Sequence, residues 1–293
     1  MNANLATITE TGLTTGCILA LIGVGFVLVF RATGVVSFAQ GAFMVLGALI
    51  FGTVSHDGGN LAVGLVVVCV ALPVIGGLIY WLVFSRLVGA ETFITSVATV
   101  GLGILVEAVA LLIWGPTTIL VQAPFSALTS YRVWGKLHLT PLDLFTFILT
   151  AAVFALILIG LHRSRVGLQM RAVANNTRLA AFNGVNVVRT STLAWALGAV
   201  TAGLAGVVFL LGTQPDPGSV FSLGLAAFPA ILLGGLDSII GSLIGGLLIG
   251  VGQAAIGVYL GGNWQDVVAY AVLLVILLVR PQGIFGDARV ARL

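Results

Sequence analysis

The chain has 293 residues, of which 59% are hydrophobic and 7% charged, with a net charge of +3 and a mean hydropathy of +1.20. So few charges cannot cover the surface of a water-soluble globule, which excludes soluble enzymes and soluble binding domains and leaves an all-α polytopic membrane protein. The small positive excess does not point to nucleic acid, because no basic face interleaved with aromatics is present to stack bases.

Residues 1–12 carry Glu10 and no basic residue before the first apolar run, which argues against a cleaved leader. About 20 apolar residues span a bilayer, and loops on the cytoplasmic side are enriched in Lys and Arg. On these two rules residues 13–30 form the first span, entering with the N-terminus outside and ending inside at Arg31. Residues 34–54 form the second, and it is unusual. Ser37 and Gln40 put polar groups at membrane depth and Gly41 adds a weak helix position. Irregular backbone is tolerated there where it faces protein or water, and broken helices line substrate routes in transporters. A polar half-turn just inside the interface would account for the same residues. Ser37, Phe38, Gln40 and Gly41 are therefore candidate pathway residues.

Residues 61–84 and 92–114 are the third and fourth spans. Glu107, in the fourth, is the only carboxylate well inside an apolar run; it suits a solute amine or a pore wall, or simple solvation near an outer helix end. Residues 115–140 form an extracytoplasmic interfacial segment, with Pro116, Pro124, Lys136 and the aromatic anchors Tyr131 and Trp134. Residues 142–161 are the fifth span, and they lead into the most polar stretch of the chain.

Residues 161–191 hold Arg163, Arg165, Arg171, Arg178 and Arg189 without any Asp or Glu, five of the twelve basic residues of the chain. Such a loop belongs on the cytoplasmic face. Within this cytoplasmic loop, residues 162–190, the run 167–182 predicts one short amphipathic helix, with Asn183-Gly184 as its stop. Its small apolar face needs cover, from a soluble partner or from headgroups and the underside of the bundle; the residues alone leave both open.

The sixth span is 192–212. Residues 221–236 are short for a crossing and contain Pro229, and residues 239–260 and 264–279 complete the set. Nine spans result if 221–236 crosses and eight if it is re-entrant; nine places the C-terminus, with Arg289 and Arg292 against Asp287, in the cytoplasm. The whole of 1–293 reads as a single transmembrane domain. Among 39 glycines, Gly12/Gly16, Gly241/Gly245, Gly246/Gly250 and Gly257/Gly261 have the four-residue spacing that lets helices approach closely. That spacing leaves open whether the neighbour is another copy.

No fuel-burning motif is present. The single lysine, Lys136, stands outside any GxxxxGK[ST] pattern, ion-coupling carboxylates are scarce, and no Ser/Lys dyad, paired carboxylates or HExxH stands in the spans. Cys17 and Cys69 sit in apolar runs, and His56, His138 and His162 lack ligand spacing, so neither a disulfide nor a metal site is expected.

Several stretches in order resemble one family. They are Ser37-Phe38-Ala39-Gln40-Gly41, Ser164-Arg165-Val166-Gly167 through Arg171 to Asn176, Ala180 to Asn186, Ala202-Gly203-Leu204-Ala205-Gly206, Leu233 to Gly241, and the closing Arg280 to Gly286. Together they resemble the permease subunits of branched-chain amino acid ABC importers, in particular the shorter of the two homologous permeases. The resemblance implies a transport subunit and not an enzyme, in a bacterial or archaeal plasma membrane. It implies as partners a second homologous permease or second copy, two cytoplasmic ATPases that bind ATP and Mg, and an extracytoplasmic substrate-binding protein; no cofactor is expected in this chain. The helix in the basic loop would be the coupling helix, with Arg171, Ala172, Asn175, Asn176 and Arg178 toward the ATPase and Gly184 and Asn186 shaping the exit turn. The chain departs from the family where many members have Asn in place of Ser37, and a His or similar residue followed by Gly-Glu in place of Gln40-Gly41-Ala42. This puts the substrate in question among branched-chain amino acids, amides, urea and similar small solutes. An ion-coupled carrier and a passive channel are the alternatives.

Overall fold

The structure is a computed structural model and describes residues 3–55, 60–116, 121, 131–134, 137–280 and 282–286. Two helices form its centre. α1 (Ala3–Thr33) begins ten residues before the expected span, because its first turns are packed: Ala6 and Ile8 are buried. It runs antiparallel to α11 (Ile239–Tyr259), with Gly12 facing Val251, Gly16 facing Leu247 and Gly23 facing Ser242. Gly246 and Gly250 meet Ala20 and Gly16 from the other side. Two of the four glycine pairs thus close one seam inside the chain, where van der Waals packing replaces the hydrophobic drive that lipid does not supply.

The second central helix, α8 (Val187–Thr213), is also antiparallel to α1. Gly25 faces Gly198 and Thr201, and Ser191 Oγ donates to the Ala32 carbonyl at 3.2 Å. On its far side α8 packs against α3 (Leu61–Leu82), with Gly76 against Trp195 and Ala199. Trp195 is stacked on Phe84 at 4.4 Å and meets Phe43 edge-on at 6.3 Å, tying α8 to the end of α3 and to α2 (Gln40–Ser55). α4 (Thr92–Trp114), α5 (Pro141–Arg163) and α12 (Trp264–Val279) form the periphery. Leu112, Leu156 and Leu278 on them are 71–85% exposed, as lipid-facing side chains are.

Among the described residues, seven helical segments are long and apolar enough to cross a membrane, and α2 and α12 are shorter apolar helices. One of the seven is interrupted. The stretch expected at 221–236 comprises α9 (Pro217–Ala226) and α10 (Phe228–Gly234), joined at Ala227. Asp216 caps α9, and the donors of Ser219, hydroxyl first and then backbone N–H, hold its carboxyl below the ordinary carboxylate range. α10 folds back on α11 with Gly245 against Ala230 and Gly241 against Gly234, which accounts for the third glycine pair. The turn after α10 lines a cavity together with Arg31 and Arg171, so α10 ends at the arginine-bearing end of the bundle. The segment after α12 is stitched there: Ile284 N–H donates to the Leu233 carbonyl at 2.8 Å and Phe285 N–H to that of Gly234 at 3.1 Å. The fourth glycine pair has a different role, with Gly257 beside Gln265 and Gly261 in the following turn.

Within the segment 115–140 a short hairpin is described. β1 (Tyr131–Trp134) and β2 (Leu137–Leu139) pair antiparallel with an irregularity between Arg132 and Trp134. Pro124 and Lys136 lie outside the described residues, as do His56, Asp287, Arg289 and Arg292.

Candidate functional site

The second span breaks where its polar residues fall, and it breaks further than expected. Gly34 ends α1 with φ +69°, a conformation open to glycine and costly for other residues, and its N–H closes on the Phe30 carbonyl at 2.7 Å. Thr33 Oγ1 accepts from Val35 N–H at 3.2 Å, and the chain then climbs back along α1 without helical structure. α2 starts only at Gln40, beside Gly25. That is eight residues back along α1, or about 12 Å of depth at 1.5 Å per residue. The expected helix from residue 34 is corrected accordingly: two β-branched valines after a left-handed glycine, followed by the Phe38 N–H donating to Thr99 Oγ1 of α4 at 2.9 Å, favour extended backbone.

Gln40 is fully buried. A Cβ on Gly25 would stand 2.9 Å from its Oε1, and one on Gly198 3.3 Å from its Nε2, so the two glycines make the slot that holds the amide. Neither amide atom has a hydrogen-bond partner among the described residues, and neither does the buried Ser37 Oγ. A buried polar group left unpaired costs about 1–3 kcal/mol. Beside these groups the Phe38 ring packs on Phe228 at 5.5 Å, and Phe228 on Phe26 at 6.2 Å. Gly41 lies against Phe221 and Gly224. The α1–α2 break and the α9–α10 break therefore meet at one place, with unpaired polar atoms beside three phenylalanines. Glu107, half-buried, is one turn along α4 from Gly103, which faces Phe38 and Phe221. Sequence reading singled out Ser37, Phe38, Gln40 and Gly41 but not Thr99, Phe221 or Phe228. The Pro229 beside Phe228 was the available signal, since proline marks a helix restart.

At the basic loop the single helix expected over 167–182 is two. α6 (Arg165–Asn175) is capped by Ser164, whose Oγ accepts from Gly167 N–H at 3.1 Å. Asn176 then turns extended, and its Oδ1 accepts from Leu179 N–H at 2.9 Å to start α7 (Thr177–Phe182). The amide side chain competes with the helix ladder and wins a second N-cap. Just past the end of α7, Gly184 takes φ +79°, and the bonds Gly184 N–H to Ala181 and Val185 N–H to Ala180 close the helix end. Asn186 Oδ1 accepts from Arg189 N–H at 3.0 Å and so caps α8.

The inner face of α6 is already covered, because Met170 and Val173 are buried and Met170 packs with Ala32 and Ala194 of the bundle. The outer face is not. Arg171, Asn175, Asn176, Arg178 and Gly184 are exposed and Ala172 is half-buried. Among them stand three large apolar side chains: Leu168 at 63%, Leu179 at 59% and Phe182 at 86% exposure.

Residues 8–277 match the family model described as "Branched-chain amino acid transport system / permease component". The chain belongs to this family. Over 96% of its length it is 29% identical to the high-affinity branched-chain amino acid transport system permease protein LivH of Escherichia coli K12, covering 95% of that protein. Against the permease protein BraD of Pseudomonas aeruginosa PAO1 the identity is 30%, with the same coverage of both chains. Among solved structures, PsaBC from Streptococcus pneumoniae in complex with Fab matches with a TM-score of 0.50 and 16% identity, over 94% of this chain and 92% of that one; this supports the fold alone. The chain is thus a multi-pass membrane permease of an ABC transporter family, in which coupling to an ATPase is the general property. The resemblance read from the sequence and the all-helical polytopic class both hold.

Proposed function

We propose that the chain is the permease subunit of an ATP-driven importer and that separate cytoplasmic ATPases drive it through α6 and α7. The observation that carries this reading is the outer face of the basic loop. A helix pair whose inner face is buried in the bundle has no internal use for Leu168, Leu179 and Phe182, and in sequence these flank Arg171, Asn175 and Arg178. Apolar anchors ringed by polar groups are how protein interfaces are built. A second permease, or a second copy, would complete the pathway, and an extracytoplasmic binding protein would deliver the solute.

The solute route in this reading passes Ser37, Phe38, Gln40 and Gly41, with Glu107 one turn away on α4. A primary amide and a hydroxyl beside phenylalanine rings suit a small amphipathic solute. LivH and BraD carry branched-chain amino acids in their names, and that class is the leading candidate here. Ala42, where many family members carry an acid, keeps amides and urea as the related class.

The test is purification from native membranes without tags on any partner. An ATP-hydrolysing subunit should co-elute, and Arg171→Glu with Arg178→Glu should abolish that co-elution while membrane insertion persists. Undiminished ATPase binding by the double variant would refute the docking assignment.

A further inference from the structure

The helix break at Ala227 separates two packing groups. α9 lies with α2 and α4, where Gly224 meets Gly41 and Phe221 meets both Gly41 and Gly103. α10 lies with α11 and α1, where Ala230 meets Gly245, Gly234 meets Gly241 and Ile231 meets Gly23. Pro229 has no N–H to carry the helix ladder across the junction, so the two halves are joined there by less than a continuous helix. The far end of α10 is bound by the backbone N–H groups of Ile284 and Phe285, which ties it to the arginine-bearing end.

Phe228 stands at this junction and touches both groups. Its ring packs at 5.5 Å on Phe38, whose N–H is bound to Thr99 Oγ1 of α4, and at 6.2 Å on Phe26 of α1. Phe26 is buried as a core ring is, whereas Phe38 and Phe228 are only half-buried. The rings lie on one side of Gln40. Phe26 is one residue nearer Arg31 than Gly25, the glycine beside the amide. Phe228 is four residues past Gly224, which meets Gly41, and so about 6 Å further toward the arginine-bearing end. An aromatic side chain carried by a helix junction thus stands between the unpaired amide of Gln40 and the cytoplasm.

We propose that Phe228 is the cytoplasmic gate of the solute route, closed while its ring lies on Phe38 and Phe26 and opened when α10 turns about Ala227. The inference rests on the permease reading above and adds to it the residue that closes the route. Aromatic pairs hold by contact and ring electrostatics alone, so the closure is reversible, and a few residues at an element's end are enough to serve as a hinge. Movement of the cytoplasmic end reaches the ring through α10, whose last carbonyls are bound there.

The experiment uses the complete importer in inside-out membrane vesicles without ATP, with Cys17 and Cys69 replaced and Gln40→Cys as the probe. It measures the rate of labelling by a membrane-impermeant methanethiosulfonate reagent added on the cytoplasmic side. With Phe228 intact the cysteine should be protected. Phe228→Ala should raise the labelling rate by about tenfold or more, Phe228→Leu should raise it in part, and Phe228→Tyr, which keeps the ring, should stay protected. If Phe228→Ala does not insert, Phe228→Leu decides. Unchanged protection without the ring, free labelling with Phe228 intact, or equal labelling of the Tyr and Ala variants would each overturn the gate. The ATPase should co-elute with every variant: its absence from the wild type refutes the permease reading, whereas co-elution with unchanged labelling refutes the gate alone.

Discussion

Gln40 buries an amide that finds no partner among the described residues, and at the residue scale that separates stability from transport. Gln40→Leu should leave the chain as stable or more stable, by about 1 kcal/mol, since it removes an unpaired polar group of similar volume. Uptake should fall tenfold or more, with the ATPase still bound. Thermal unfolding and solute uptake in the same preparation check this; normal uptake would remove Gln40 from the pathway. Asn186 makes the opposite case. Its side chain caps α8, so Asn186→Ala should cost about 1 kcal/mol of stability and Asn186→Asp should restore it, whatever either does to ATPase affinity. The polar residues of the second span were legible from their positions in an apolar run. The slot that holds Gln40 was not, because Gly25 and Gly198 are far from it in sequence and nothing local distinguishes them from other glycines.

At the scale of elements, the junction of α6 and α7 is set by one side chain. Asn176→Ala removes the cap of α7 and lets the amphipathic run continue as one helix, which would carry Leu179 and Phe182 around to a different face. ATPase affinity should drop at least tenfold while the unfolding midpoint of the spans stays within about 1 °C, a surface-sized effect. Titration of the purified ATPase against wild-type and variant permease measures it. The helix pair was read as a single helix because its apolar periodicity spans the break; only the capping geometry of Asn176 reveals two. The α1–α11 seam is the reverse situation. Its glycine spacing was visible in sequence, but spacing cannot name a neighbour, and the structure assigns Gly12, Gly16, Gly246 and Gly250 to packing within one chain. Gly250→Val should therefore reduce stability by roughly 1–3 kcal/mol through overpacking and leave any permease–permease pairing of the surviving fold unchanged, as read by crosslinking.

For the whole molecule, hydropathy and loop charge located the order of the apolar segments, and two of them, α4 and α12, fall on the expected bounds. The same rules could not show that α1 and α8 are central and α4 and α5 peripheral, because all are comparably apolar and their burial depends on glycine contacts between distant segments. Nor could they show that two helix breaks meet beside Phe38 and Phe228. As a subunit driven from outside itself, the chain alone in proteoliposomes should give no solute flux above empty vesicles, with flux appearing only when ATPase partners and ATP are present. Flux through the chain alone would favour a passive channel.

The central claim is that force enters this protein from the cytoplasm through the outer face of α6 and α7. Its most direct test is labelling of Phe182→Cys, in a chain with Cys17 and Cys69 replaced, by a membrane-impermeant thiol reagent. The cysteine should react in inside-out vesicles, stay silent in right-side-out vesicles, and be protected once the ATPase is bound. Reaction from the extracytoplasmic side, or equal reactivity with and without the ATPase, would contradict it.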